Sequence, residues 1–219
     1  MNLKPATVYL DEDLLVVDKP SGMLTIRDGY DPEKPYLKAV LQPVYGNLWI
    51  VHRLDKLTSG LVVLARNEAA HRNLNTQFSA HTVKKVYWAI VYGVPVWERV
   101  EIDKPLRTNV GRRKRTVVDH KNGKPAKTTL QVLRRFKQYA LVEARPQTGR
   151  THQIRAHLYD LGHPILGDPL YGSGGESKLI QRLALHARSI TLRHPASRDK
   201  VSFHALEGED FVKSLLLMT

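Results

Sequence analysis

Short β-branched runs separated by turn residues constrain this chain more than any other feature. They cover Thr7 to Leu10, Asp13 to Asp18, Leu61 to Ala65, Val83 to Gly93, Thr128 to Leu133 and Ala140 to Ala144. Lys19-Pro20-Ser21-Gly22 marks one of the turns between them, and Leu48 to Val51 reads as a further strand end. Parallel strands need a long crossover, usually helical, whereas antiparallel neighbours can be joined by a tight turn. Most connections here are too short for crossovers. The pattern predicts an α+β fold, a mixed, mainly antiparallel sheet with flanking helices. Helical periodicity predicts helices over Glu68 to Ser79, where Ala70, Leu74 and Phe78 fall four apart, and over Thr151 to Leu161, where Ile154, Leu158 and Leu161 form one stripe. A third helix is predicted over Glu209 to Leu217.

The chain has 219 residues, 42% of them hydrophobic, enough for a sizeable core. Strand pattern begins almost at the first residue, so 1–219 reads as a single domain. Lys and Arg number 34 against 21 Asp and Glu, and the net charge of +13 points to a polyanionic or anionic-surface partner. The absence of cysteine excludes disulfides, thiolate zinc sites and thiol nucleophiles, and fits a reducing cytoplasm. Met-Asn-Leu-Lys-Pro-Ala-Thr lacks an apolar signal core, and no run approaches the ~18 to 20 apolar residues of a membrane span. Neither secretion nor membrane attachment is expected.

Two stretches concentrate polar chemistry. Arg107 to Lys127 is a charge run with Arg112-Arg113-Lys114-Arg115 at its centre and an Asn122-Gly123 turn, which reads as an extended basic hairpin or loop. Its four central cations are expected to contact phosphates rather than to read bases, since a flexible run offers charge without a fixed recognition surface. The other is His52-Arg53-Leu54-Asp55-Lys56-Leu57-Thr58-Ser59-Gly60, a loop leading into a strand. A carboxylate flanked by Arg53 and Lys56 is favoured in its ionised form and suited to act as nucleophile or base, although an aspartate in a loop is also an ordinary turn residue.

This second stretch resembles the HRLD-x-x-TSG signature of the RluA-type RNA pseudouridine synthases. Further segments are similar to that family's motifs in the same order: Lys84-Lys85-Val86-Tyr87-Trp88-Ala89-Ile90-Val91-Tyr92-Gly93, then Gly149-Arg150-Thr151-His152-Gln153-Ile154-Arg155-Ala156-His157-Leu158, then Gly162 to Asp168 and Leu185-His186-Ala187. The resemblance implies an isomerase that converts uridine to pseudouridine in ribosomal or transfer RNA. Breaking the N1 glycosidic bond and rejoining the ring through C5 is redox-neutral and takes no group donor, so it implies no cofactor. Asp55 matches the essential carboxylate, which attacks C1′, removes a ribose proton or attacks C6. Tyr87 matches an aromatic that stacks on the target uracil, replacing stacking worth ~1 to 3 kcal/mol when the base leaves its helix. Because strand neighbours face opposite ways, Trp88 is then read as a core residue. Arg155 matches the arginine that pairs with the catalytic aspartate; helical geometry alone sets it at the margin of the Ile154 stripe, from which it can also reach solvent. Arg53 corresponds to an arginine that replaces the flipped uridine, its planar guanidinium able to stack and to pair with phosphate. Lys56, Arg112, Arg113, Lys114, Arg115 and Arg150 complete the expected RNA-binding set.

Larger members of that family carry an extra N-terminal RNA-binding domain, but the strand pattern here starts at Thr7 to Leu10, so the catalytic domain itself is expected to bind the RNA, as a monomer. No metal site is expected: His152 and His157 are five apart rather than four, and Asp11-Glu12-Asp13 reads as a turn rather than a two-metal cluster. Gly172-Ser173-Gly174-Gly175 lacks the Gly-Lys-Ser/Thr ending of a phosphate loop and reads as a connection. Two rival readings are a catalytically silent RNA-binding protein, against which Asp55, Tyr87 and Arg155 argue, and a metal-dependent RNA hydrolase, for which no convincing ligand cluster is present.

Overall fold

A computed structural model describes residues 4–29, 31, 33–172 and 179–218. In chain order the elements are β1 (Ala6–Leu10), β2 (Leu14–Lys19), α1 (Leu37–Tyr45), β3 (Trp49–Ile50), β4 (Ser59–Ala65), α2 (Glu68–Ser79), β5 (Lys84–Tyr92), β6 (Arg99–Asp103), β7 (Leu106–Val110), β8 (Arg115–Val118), β9 (Lys127–Arg135), β10 (Tyr139–Pro146), α3 (Gln153–Asp160), β11 (Leu185–Arg193), β12 (Lys200–His204) and α4 (Glu209–Leu217). They fall into two compact units, residues 1–85 with 187–206 and residues 86–186 with 207–219.

In the first unit the strand order is β1-β2-β4-β11, with β3 on β4 and β12 on β11. β2 and β4 pair antiparallel from Leu14↔Ala65 to Lys19↔Gly60. Every residue of β4 is buried, and β2 is buried apart from Asp18, as a strand covered on both faces requires. Leu14, Val16, Leu61 and Val63 pack with Leu74 of α2 and with Ile190, Leu192 and Phe203. The boundaries of α2 match the sequence expectation because Asn67 caps it, its side chain accepting from the Ala70 N–H.

The second unit carries the order β5-β10-β9-β6, antiparallel throughout, and a separate β7-β8 hairpin. Here α3 is shorter than the predicted Thr151 to Leu161. It begins at Gln153, after His152 has turned through φ 55°, so Thr151 lies outside it. The basic segment is the expected hairpin, with Arg112, Arg113 and Lys114 at its exposed turn. Helix α1 was not expected from periodicity; it contains Pro43 and buries only Leu37 and Leu41. Of the glycine-rich connection, Ser173, Gly174 and Gly175 lie outside the described residues.

Candidate functional site

In the first unit, residues 52–58 run without regular structure into β4, yet the backbone around Asp55 is tied down on both sides. The Thr25 hydroxyl donates to the Leu54 carbonyl at 2.9 Å and accepts from the Leu54 N–H at 3.2 Å. Beyond Asp55, the Lys56 carbonyl accepts from the Gly22 N–H at 2.8 Å and the Leu57 carbonyl from the Ser21 hydroxyl at 2.6 Å. The loop closes on itself through the Thr58 N–H and the Asp55 carbonyl, 3.1 Å apart.

Beneath this loop lies Lys19, with no exposed surface. Its ammonium donates to the carbonyls of Pro20 and Met23, both at 2.9 Å, and of Lys56 at 3.3 Å. A buried ammonium is tolerated only with such partners, and here it staples the Lys19-Pro20-Ser21-Gly22 turn to the loop bearing Asp55. The sequence marked that turn but not the role of the lysine, because a lysine beside Pro-Ser-Gly carries no signal of burial.

His52 anchors the other end. Its Nε2 accepts from the Val63 N–H at 2.9 Å and its ring stacks on Phe78 at 4.7 Å. Desolvation, then the nearby Lys85 charge, lower its pKa from 6.5 to about 3. The imidazole is therefore neutral, with Nε2 the acceptor. Gly60 ends the motif at φ 110°, and a Cβ there would collide with the Ala187 backbone of β11, so only glycine fits. From this fixed frame Arg53 and Lys56 are exposed and Asp55 is partly exposed.

Tyr87 and Trp88 lie on β5 in the second unit, opposite Ala144 and Glu143 of β10. Both are half-buried, so Trp88 is not the enclosed core residue expected. Arg155 departs further from its expected margin position, being only 4% exposed. Its Nε and Nη2 donate to the two carboxylate oxygens of Asp168 at 2.7 and 2.8 Å, a bidentate pair. Asp168 Oδ1 also accepts from the N–H groups of Leu170 and Tyr171, and the Tyr171 ring lies 5.1 Å from the guanidinium carbon. Asp168 and Tyr171 were missed because a partner thirteen residues away, beyond a helix end, leaves no periodic trace.

The segment before α3 is fixed by Gln153, whose Oε1 accepts from the Thr148 hydroxyl at 2.6 Å and the Arg150 N–H at 3.0 Å, while its Nε2 donates to Lys127 and Thr128. His157 is buried between Thr128 and the Lys104 carbonyl, and desolvation lowers its pKa. Among the four cations at the centre of the basic run, Arg115 differs. It is half-buried, its guanidinium carbon 5.5 Å from the Tyr159 ring centroid and 5.7 Å from that of Tyr171, whereas Arg112, Arg113 and Lys114 are exposed.

Among the described residues one group has side chains that could share an ion: ligand atoms of Asp11, Asp13 and His194 lie within 4.8 Å of one another. Their hydrogen bonds describe a turn lock. Asp11 Oδ1 accepts from the N–H groups of Asp13 and Leu14, Oδ2 meets the Tyr9 hydroxyl and His194 Nε2, and Asp13 Oδ1 accepts from Asn67. Burial pushes the Asp11 pKa up, but the donors outweigh it and hold the carboxyl below its ordinary value.

The fold sets an exposed basic hairpin and a partly exposed carboxylate on a rigid loop, and comparison with known proteins supplies the class of protein that carries them. A family model described as RNA pseudouridylate synthase matches residues 13–160. The dual-specificity RNA pseudouridine synthase RluA of Salmonella typhi is 40% identical over 197 residues, covering 90% of each chain. Ribosomal large subunit pseudouridine synthase D of Zymomonas mobilis is 39% identical over 220 residues, 93% of this chain and 69% of the relative. Human RNA pseudouridylate synthase domain containing 4 superposes with a TM-score of 0.79 at 28% identity, covering 97% of this chain and 92% of its own. The chain belongs to the RNA pseudouridylate synthase family: it is an RNA pseudouridine synthase, an isomerase. Among the described residues no helix is long and apolar enough to cross a membrane.

Proposed function

We propose that this enzyme isomerises uridine in folded ribosomal or transfer RNA, with Asp55, Tyr87 and Arg155 as its catalytic set. The observation that best supports this is the mounting of Asp55: the carbonyls on either side of it, at Leu54, Lys56 and Leu57, are bonded to Thr25, Lys19, Gly22 and Ser21, while the aspartate stays partly exposed. A reacting carboxylate has to be held by its surroundings and still reach its substrate.

In the reaction the C1′–N1 bond breaks, the uracil turns, and a C1′–C5 bond forms; C5 loses its proton and N1 gains one. Tyr87 supplies a face for the extruded uracil and a hydroxyl near the proton transfer at C5. Arg155 provides fixed positive charge, and its bidentate bond to Asp168 supports that role by orienting the guanidinium. Arg53 fills the space the uridine leaves in the RNA. Lys56, Arg150 and the basic hairpin bind phosphates, with Arg112, Arg113 and Lys114 foremost because their side chains are exposed. We further infer one catalytic domain working as a monomer in the cytoplasm, a reducing compartment that the cysteine-free composition suits.

Mapping pseudouridines in total RNA from cells that lack the gene, and after restoring either the wild type or Asp55→Asn, tests this proposal. Sites lost on deletion should return only with the wild type. Return of those sites with the Asn form would remove Asp55 from the catalytic role, and an unchanged map on deletion would overturn the proposed RNA substrate.

A further inference from the structure

The second unit contains a groove of about 290 Å³ between the foot of the hairpin and the segment preceding α3, away from the exposed hairpin tip. Arg107, Thr108, Asn122, Lys124, Arg150 and Thr151 line it. Its volume approaches the ~300 Å³ at which small-ligand pockets begin, and its walls combine apolar surface with cationic and hydroxyl groups. That chemistry suits a sugar–phosphate unit and not a free base, which would call for an aromatic platform.

The walls are built to hold their shape. The Leu106 N–H and the Lys124 carbonyl, and the reverse pair, are each 2.9 Å apart, fixing Lys124 beside the start of β7. Asp119 Oδ1 accepts from the N–H groups of Lys121 and Asn122 at 3.0 and 2.9 Å, and its other oxygen pairs with Arg107 at 3.0 Å. Gly123 makes the close packing possible, since a Cβ there would collide with the Asp119 carbonyl oxygen and the Pro105 backbone. On the opposite wall the Arg150 Nε donates to the Pro125 carbonyl at 3.0 Å, which restrains the guanidinium. The Lys124 ammonium has no protein partner among the described residues. The groove is thus lined by three cations, Arg107, Lys124 and Arg150, the first of them paired with Asp119.

We propose that this groove seats one phosphate and its ribose from a single-stranded segment of the RNA, with Lys124 and Arg150 on the phosphate and the Thr108 and Thr151 hydroxyls within reach of the 2′-hydroxyl. It rests on the reading of this unit as RNA-binding and adds to it a means of preferring RNA over DNA, because the 2′-hydroxyl is the group that distinguishes them.

The test uses the full chain with oligouridylate and oligodeoxyuridylate of equal length, probes whose binding needs no turnover. Wild type should bind the ribose form more tightly. Lys124→Gln should flatten the slope of log affinity against log salt by ~0.7 for either probe, one single-strand phosphate contact. Thr108→Val combined with Thr151→Val should instead bring the ribose-to-deoxyribose affinity ratio toward one, leaving the slope alone. In the unmodified protein, oligouridylate should protect Lys124 from an amine-acylating reagent, a readout independent of any variant's folding. An unchanged slope with Lys124→Gln, an unchanged ratio in the threonine variant, an unprotected Lys124 or no binding of oligouridylate would each overturn the groove. If substitution at Arg112, Arg113 and Lys114 flattens the slope while Lys124→Gln does not, the groove assignment falls and the hairpin reading stands. If neither does, the RNA-binding reading of the hairpin also falls.

Discussion

The loop of residues 52–60 and the turn of the basic hairpin are both irregular segments rich in charge, and they are built in opposite ways. In the loop, hydrogen bonds hold the backbone on both sides of Asp55, a buried ammonium lies beneath it and Gly60 is confined against Ala187. At the hairpin turn, Arg112, Arg113 and Lys114 project into solvent from a short two-stranded ribbon. Chemistry at a bond needs a group placed to a fraction of an ångström, whereas attraction to phosphate works over the ~8 to 10 Å of a Debye length. The degree of anchoring therefore separates residues suited to react from residues suited to attract, although their composition is similar.

The strongest way to break this comparison is at Asp55. Asp55→Asn should lower turnover on a converted RNA by at least ~10²-fold, the lower range for losing a positioned acid–base group, with RNA affinity and folding retained. Single-turnover assay alongside equilibrium binding measures both. If turnover persists, anchoring is no guide to chemistry here. Next in size is Asp168→Asn, which strands the buried Arg155 charge and should cost about 3 to 5 kcal/mol by denaturant unfolding. A loss under about 1 kcal/mol would mean that other groups carry the guanidinium.

On the attracting side, replacing Arg112, Arg113 and Lys114 together by Gln should lower the salt slope of binding by up to ~2 to 3 and leave saturated turnover nearly unchanged. Arg115→Gln should act differently, lowering stability through lost contact with Tyr159 and Tyr171 more than it lowers the slope. Equal slope changes from Arg115 and from a tip residue would erase that distinction. The last effect, absent near neutral pH, concerns His52. Its folded pKa lies near 3 and its unfolded value near 6.5, so the unfolded chain binds the extra proton first. The resulting stability is fully present above pH ~6.5 and declines as pH falls through the window to ~3, by at most ~1.4 kcal/mol per unit. His157 shifts in the same direction. Unfolding curves for His52→Gln should show a shallower pH dependence than wild type; an identical dependence would remove His52 as a contributor.

Elements governed by local rules could be read from the sequence, and those governed by distant partners could not. Helices over Glu68–Ser79 and Glu209–Leu217 have the boundaries their periodicity indicates. The β2 and β4 strands were visible as apolar runs of the right length. By contrast α1 includes a proline, and α3 is buried from Gln153 through Leu158 with three polar side chains among them, so no amphipathic stripe describes it. Those polar residues are satisfied by Lys127, Thr128, Lys104 and Asp168, partners separated from them by up to fifty-three positions. The motif resemblance singled out Asp55 and Arg155 as candidates, whereas the groups that hold each, Lys19 and Asp168, came only from the fold.

The contact between Gly60 and Ala187 also bears on when this enzyme becomes complete during its own synthesis. The first unit is discontinuous: after residue 85 the chain builds most of the second before returning with residues 187–206. A ribosome that has just added residue 186 has already made Asp55, Tyr87 and Arg155, yet β4 still lacks its neighbour β11 and the core of the first unit lacks Ile190, Leu192 and Phe203. The order of translation thus leaves the loop bearing Asp55 without its β11 support until residues 187–206 are made, and a nascent chain stalled before that point carries Asp55 on an unfinished unit.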